Sequence, residues 1–279
     1  MFRRTAFFIT AWLALFFSPV QANENGSVID RVKERGEIVV GIRQDNPPHS
    51  FINDKGEWVG FDVDIANAVA DKLGVDMKRV PVDEITRITY LQNGKIDMAA
   101  ASMSHTWKRD DAVDFSQTYF WSAQTFLVRK DGANSLDDLV GKKVGMNRGS
   151  HSIGNWKHWL EKNGHPVNEE DIIEFGNKQI AMNAVLSGKI DGWAEDAEVL
   201  ASYAKPNPEL TVLSGEAIGM KQDGLGVIEN DSKMRDAINR ALQEIESSGE
   251  YLTIYNRWFG PDSETPMPLE NRIEVWPQG

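Results

Sequence analysis

Hydrophobic residues along the chain alternate between two periods. Ile38–Ile42 is a short β-branched run that reads as a strand, followed by a polar, proline-containing loop through Asn46-Pro47-Pro48. Asp54-Lys55-Gly56 reads as a hairpin turn. Phe61, Ile65, Val69 and Leu73 then recur at four-residue steps, which predicts an amphipathic helix ending before Gly74. Met234, Ile238, Leu242 and Ile245 repeat that period after a cap at Asn230 or Asp231. From Pro261 onward the chain is rich in proline and acid and predicts irregular structure.

An internal repeat suggests how these elements are organised. Leu91-Gln92-Asn93-Gly94-Lys95-Ile96-Asp97 recurs as Val185-Leu186-Ser187-Gly188-Lys189-Ile190-Asp191, and Val40-Gly41 recurs more loosely as Val144-Gly145. Two unrelated helix ends would also place a glycine before a strand. We read the repeat instead as two α/β lobes of like topology whose strands end at a shared cleft, since ligands in such sheets sit beyond the carboxyl ends of strands and small-molecule sites favour interfaces.

The N-terminus carries Arg3 and Arg4, an apolar run Ala6–Phe17 broken only by Thr10, and a small-x-small ending at Val20-Gln21-Ala22. This is the pattern of a secretory signal peptide cleaved after Ala22; a membrane anchor needs about 20 apolar residues. The 279-residue chain has no cysteine, so disulfides, thiolate nucleophiles, Cys-ligated metals and a lipid-anchoring cysteine are all excluded. Its net charge is −12, which argues against nucleic acid and against an anionic membrane surface. Loss of Arg3 and Arg4 makes it −14.

Several residues at the expected cleft can bind charge. The strand after the first repeat runs into Ser102-Met103-Ser104-His105-Thr106-Trp107-Lys108-Arg109, where Thr106 predicts a helix start near Trp107. A helix N-terminus, the Ser102 and Ser104 hydroxyls and the Arg109 fork all suit a carboxylate. Gly149-Ser150-His151-Ser152 follows the strand Lys143–Met146 and precedes the helical run Asn155–Leu160, a second candidate anion site in which Ser150 or Ser152 is also a plausible N-cap. Asp196 ends the strand after the second repeat, where it can hold an ammonium or cap the helix Ala197–Tyr203. The histidines fit neither a Gly-x-Ser-x-Gly elbow nor a metal-ligand spacing, and the Gly-x-Gly-x-x-Gly and P-loop patterns are absent. Nothing requires an enzyme, a metal or a cofactor.

These pieces together resemble a known family. IVVGIRQDNPPHSFINDKGEWVGFDVDIA, LQNGKIDM, SMSHTWKRDDAVDFSQTYF, LDDLVGKKVGMNRGS, VLSGKIDGWAEDAEV, DGLGVIEND and SGEYLTIYNRWFG are similar, in this order, to the polar amino-acid-binding proteins of bacterial ABC importers. The resemblance spans about Ile38 to Gly260 and implies the periplasmic type II binding fold, two α/β lobes joined by a two-strand hinge. It implies that Ser102, Ser104 and Arg109, with Gly149, Ser150 and His151, grip the α-carboxylate, and that Asp196 takes the α-ammonium. Arg43 and Arg87 stand where the glutamate- and aspartate-binding branch holds the side-chain carboxylate, with Lys178 and Arg148 as further cations. The sequence departs from the family at His49, where an aromatic residue usually follows the proline, and at Ser150-His151, which replaces two threonines.

The expectation is therefore a monomeric periplasmic solute-binding protein that closes on L-glutamate or L-aspartate and delivers it to an inner-membrane permease. The expected organisation is a signal peptide over 1–22, a discontinuous first lobe over 23–126 and 216–260, a second lobe over 127–215, and a tail over 261–279. The hinge crossings fall near Thr125–Arg129 and Thr211–Gly215. The rival expectations are a neutral polar amino acid as ligand, or an enzyme on the same fold resembling cyclohexadienyl dehydratase, with an acid such as Glu195 in the cleft.

Overall fold

In a computed structural model, residues 26–276 are described. The signal peptide expected over 1–22 lies outside them. The chain runs α1 (Val28–Arg35), β1 (Glu37–Ile42), β2 (Asp45–Asn46), β3 (Ser50–Ile52), β4 (Trp58–Val59), α2 (Phe61–Leu73), β5 (Asp76–Pro81), α3 (Thr86–Gln92), β6 (Met98–Ala100), α4 (Trp107–Asp110) and β7 (Val113–Phe115). It continues with β8 (Phe120–Arg129), β9 (Val144–Asn147), α5 (Ser152–Lys162), β10 (Ile172–Phe175), α6 (Lys178–Leu186), β11 (Gly192–Asp196), α7 (Ala197–Ala204), β12 (Leu210–Val212) and β13 (Gly219–Asp223). It ends with β14 (Gly226–Ile228), α8 (Ser232–Ser247) and α9 (Glu250–Phe259).

The hydrophobic periods become helices for the reason they predict. In α2, Phe61, Ile65 and Val69 are fully buried, and the helix stops where Gly74 turns left-handed at φ 71° and its N–H bonds back to Ala70. In α8, Met234, Ile238, Leu242 and Ile245 form the buried face, and the Asp231 carboxylate accepts from the Met234 N–H at 3.1 Å.

Two sheets carry the architecture. The first has the order β5-β1-β6-β14-β7, and the second β10-β9-β11-β8-β12 with β13 on β8. Each contains a parallel triplet whose first strand lies in the middle: β1 between β5 and β6, β9 between β10 and β11. The internal repeat is the geometry of these triplets. Ile96 of the first copy presses its Cδ1 on Gly41 of β1, and Ile190 of the second presses its Cδ1 on Gly145 of β9. A Cβ at either glycine would lie 2.5 or 2.6 Å from that carbon, so any larger residue there would force the isoleucine to shift. Asp97 N donates to Val39 O and Asp191 N to Lys143 O, both at 2.7 Å.

Each sheet is packed with its own buried residues. Ile38, Val40, Ile42, Phe61, Ile65 and Tyr251 lie around the first, and Phe126, Val144, Met146, Trp156 and Leu160 around the second. We call the two assemblies the first and second lobe. The chain passes from the first sheet to the second between β7 and β8 and returns between β13 and β14. The crossings expected near 125–129 and 211–215 instead lie inside the second lobe. The reason is that Phe120–Arg129 is one unbroken strand, paired with β11, β12 and β13. Residues 261–276 form no helix or strand but pack on the first lobe through Ile273, which is buried.

Candidate functional site

The carboxyl ends of the parallel strands of both sheets meet at one cavity. Beyond β1 stand Arg43 and Asn46; beyond β5, Glu84 and Arg87; beyond β6, Ser102, Ser104 and Arg109. The second lobe contributes Ser150 and His151 beyond β9, Glu195 and Asp196 at the end of β11, Gln124 on β8 and Lys221 on β13. None of these thirteen side chains is aliphatic, and none is Phe, Tyr or Trp.

Arg109 joins the lobes at one end. Its Nη1 donates to Ser104 O at 2.9 Å and its Nη2 to Gly149 O of the second lobe at 3.0 Å. Ser104 Oγ lies 3.0 Å from His151 Nδ1. Burial, helped by the nearby cations Lys221, Arg109 and Arg87, lowers His151 to about 3 against the pull of Asp196, so its ring is neutral at pH 7. Ser102, at φ 51°, takes a backbone conformation uncommon outside glycine. It does so where β6 gives way to the segment bearing Ser104 and Arg109.

One local expectation holds and a second is corrected. The helix expected from Trp107 starts there with Thr106 as its cap, the Thr106 hydroxyl accepting from the Arg109 N–H at 3.4 Å, but it is a single turn, Trp107–Asp110, before the chain leaves for β7. Such a turn has no useful macrodipole, and binding at this end falls to the Arg109 side chain. The cap of α5 is His151, not Ser150 or Ser152, whose hydroxyls bond to each other at 2.6 Å.

The other cations are paired within the protein. Arg43, expected to be open to a ligand carboxylate, is buried and bound to Glu84 through Nη1 and to Asp45 through Nη2 at 2.8 Å. Burial of Glu84 opposes its charge, but Arg43, Lys178 and Arg87 outweigh that and hold it at about 2. Lys178 does not line the cavity; it is fully buried against Glu195, with Glu84 at 3.6 Å. Arg148 is exposed, 3.8 Å from Glu174. Arg87 stays among the lining residues, its Nη1 donating to Ala101 O at 2.7 Å and Ser102 O at 3.2 Å. Burial and the neighbouring Arg109 lower it to about 9.

Asp196 stands at the N-cap position of α7, but its side chain does not cap the helix. Its Oδ1 accepts from Gln124 Nε2 at 2.9 Å and its Oδ2 from Lys221. Lys221 Nζ also bonds Ser102 Oγ at 2.8 Å and Asp223 at 2.9 Å, so one hinge-side lysine links both lobes. Burial raises Asp223 to about 6 despite Lys221, and raises Glu195 despite Lys178. His49 lies outside the cavity. It is fully buried with Nε2 2.8 Å from Glu198 of the second lobe and Nδ1 3.6 Å from Asp62.

The structure thus brings Arg43, Arg87, Ser102, Ser104, Arg109, Ser150, His151 and Asp196 to one cavity and leaves Lys178 behind it. Sequence reading missed Asn46, Glu84, Gln124 and Lys221. Asn46 and Glu84 follow the strands β1 and β5 closely enough for strand-end position to have flagged them; Gln124 and Lys221 carry no such signal, because they sit inside antiparallel strands.

Comparison with known proteins places the chain in a family. Residues 38–261 match the bacterial extracellular solute-binding proteins, family 3. The chain is 28% identical to the L-cystine-binding protein TcyJ of Escherichia coli (strain K12) over 87% of its length and 90% of that protein's. It is 34% identical to the ABC transporter glutamine-binding protein GlnH of Bacillus subtilis (strain 168), covering 83% of this chain and 84% of the relative. Among solved structures, the ancestral amino acid-binding protein AncCDT-1, a precursor of cyclohexadienyl dehydratase, superposes with a TM-score of 0.73 at 31% identity over 83% of this chain and 99% of that one.

Proposed function

The chain belongs to the bacterial extracellular solute-binding proteins, family 3, and from that premise we propose that it is a periplasmic component of an ABC importer that captures a zwitterionic amino acid with a short, neutral, polar side chain. The α-carboxylate is held by Arg109 with Ser102, Ser104 and His151. The α-ammonium lies at Asp196, and closure of the two lobes on the ligand presents the loaded form to a permease.

The observation that carries this reading is the charge balance of the cavity. Counting the groups bonded directly behind the lining, five cations (Arg43, Arg87, Arg109, Lys178 and Lys221) stand with five carboxylates (Asp45, Glu84, Glu195, Asp196 and Asp223); Arg43, Lys178 and Lys221 take all five carboxylates in direct pairs, and Arg87 and Arg109 donate to backbone carbonyls. A buried charge without a partner is costly. A ligand of zero net charge leaves the site neutral, whereas an acidic amino acid adds an anion that Arg43 is no longer open to meet. The all-polar lining also offers no apolar or flat aromatic wall for a long or hydrophobic side chain. The acidic-ligand expectation from Arg43 and Arg87 is therefore replaced by the neutral polar one.

A thermal-shift and calorimetric screen of the twenty amino acids tests this. Glutamine or asparagine should stabilise the protein by mass action, with acidic and basic amino acids binding more weakly. If no amino acid binds, the functional reading fails. If glutamate or aspartate binds tighter than the amides, Arg87 sets the specificity and the charge-balance argument fails. A catalytic reading has one observation in its favour, the raised carboxyl of Glu195 in the cavity. Nuclear magnetic resonance of bound ligand over hours should show no turnover; loss of water or ammonia would give Glu195 the role of general acid.

A further inference from the structure

The cavity holds a side chain to which none of the preceding roles applies. Asn46 is 1% exposed, lines the cavity and sits on β2. Among the described residues, neither its Oδ1 nor its Nδ2 has a hydrogen-bond partner. Its position is fixed from both lobes. β2 pairs Asn46 with Ser50 in the first lobe, and Tyr203 Oη of α7 donates to the carbonyl of the adjacent Asp45 at 2.9 Å. Buried polar groups are almost always paired, so a carboxamide with two unpaired atoms facing a ligand cavity points to a ligand that pairs them. The neighbouring charged groups do not compete for it, since Arg43 and Glu84 close on each other.

We infer that Asn46 determines specificity by pairing with a side-chain carboxamide of the ligand, which makes glutamine or asparagine the preferred class. The inference rests on the amino-acid-binding reading above. A carboxamide offers one acceptor to Asn46 Nδ2 and one donor to Asn46 Oδ1. A carboxylate offers acceptors only and leaves Oδ1 unpaired; an ammonium or guanidinium offers donors only and leaves Nδ2 unpaired; an aliphatic side chain leaves both. The argument holds for either orientation of the Asn46 amide, because exchanging its two atoms exchanges the ligand's with them.

The test is calorimetric titration of the full chain and of the variants Asn46→Leu and Asn46→Asp with glutamine, asparagine, glutamate and aspartate. Unliganded thermal melts establish that each variant is folded. The wild type should prefer the better amide over its acid by at least about tenfold. Asn46→Leu should bring that ratio close to one, chiefly by weakening the amide. Asn46→Asp, nearly isosteric and acceptor-only, should also lower amide affinity by about tenfold or more. If the wild type binds an amide but folded Asn46→Leu keeps its amide-to-acid ratio, or folded Asn46→Asp keeps its amide affinity, the inference is overturned while the amino-acid-binding reading stands. If the wild type binds no amino acid, both fall.

Discussion

Replacing Glu198 by Gln should cost stability in a way that depends steeply on pH. His49, Asp62 and Glu198 are all fully buried, and the ring of His49 bridges a carboxylate from each lobe. Burial alone would push the imidazole down. The hydrogen bond to Glu198 and the charges of Asp62 and Glu198 outweigh it and raise His49 from 6.5 to about 10. A histidine whose folded pKa is raised contributes in full below its unfolded value and loses that contribution as pH climbs through its folded value. For 6.5 and about 10, the contribution is about 4 kcal/mol at pH 7 and under about 0.5 kcal/mol at pH 10. Two carboxylates share the support, so Glu198→Gln, which keeps a hydrogen-bonding shape without the charge, should remove about 2–3 kcal/mol at pH 7. Urea unfolding of wild type and variant, followed by tryptophan fluorescence at pH 7, 8, 9 and 10, measures the gap. It should shrink to under about 0.5 kcal/mol at pH 10. A gap that is constant across this range, or that widens with pH, refutes the assignment of a charged His49 between the lobes.

Three further outcomes follow from the same geometry. Arg109→Ala removes the one guanidinium that spans Ser104 O and Gly149 O, and should weaken ligand binding by about a hundredfold in calorimetry while leaving the far-ultraviolet circular dichroism unchanged; an affinity within threefold of wild type would remove Arg109 from the carboxylate site. Lys221→Met strips the buried cation from Asp196 and Asp223, and should cost about 3 kcal/mol at pH 7. Both carboxyls then rise, the folded state holds protons the unfolded chain does not, and the variant should regain stability between pH 7 and pH 5; a loss on acidification steeper than that of wild type would contradict the pairing. Gly145→Ala forces a Cβ to 2.6 Å from Ile190 Cδ1 and 2.7 Å from the Phe175 ring, and should lower unfolding free energy by about 1–3 kcal/mol in urea titrations; an unchanged midpoint would show that the second lobe relaxes freely there.

The fold was legible in the sequence wherever a residue's role is local. The four-residue spacing of Phe61, Ile65 and Val69 survives as the buried face of α2 because a helix face is fixed by spacing alone. The paired Gly-Lys-Ile-Asp segments are legible because each isoleucine must meet a glycine one strand over, which couples two short motifs in each lobe. The chain crossings were not legible. Whether Phe120–Arg129 bends or continues depends on β11, β12 and β13, which arrive 60 or more residues later.

For the site, position was legible and electrostatic state was not. Strand ends placed Ser102, Ser104, Arg109 and Asp196 at the cavity, because the carboxyl ends of parallel strands converge there whatever the side chain. Whether a cation at such a place is open to a ligand depends on its partners in three dimensions. Arg43 meets Glu84, 41 residues away, and Lys221 meets Asp196 from the far side of β8. A sequence reading that counts arginines near strand ends therefore overestimates the positive charge a ligand meets. The same logic explains why Asn46 escaped notice. A single asparagine before a proline reads as a turn residue, and only burial without a partner distinguishes it as a group that selects. Ligand choice in this cleft is thus written less in which charges are present than in which hydrogen-bonding groups the protein leaves unpaired.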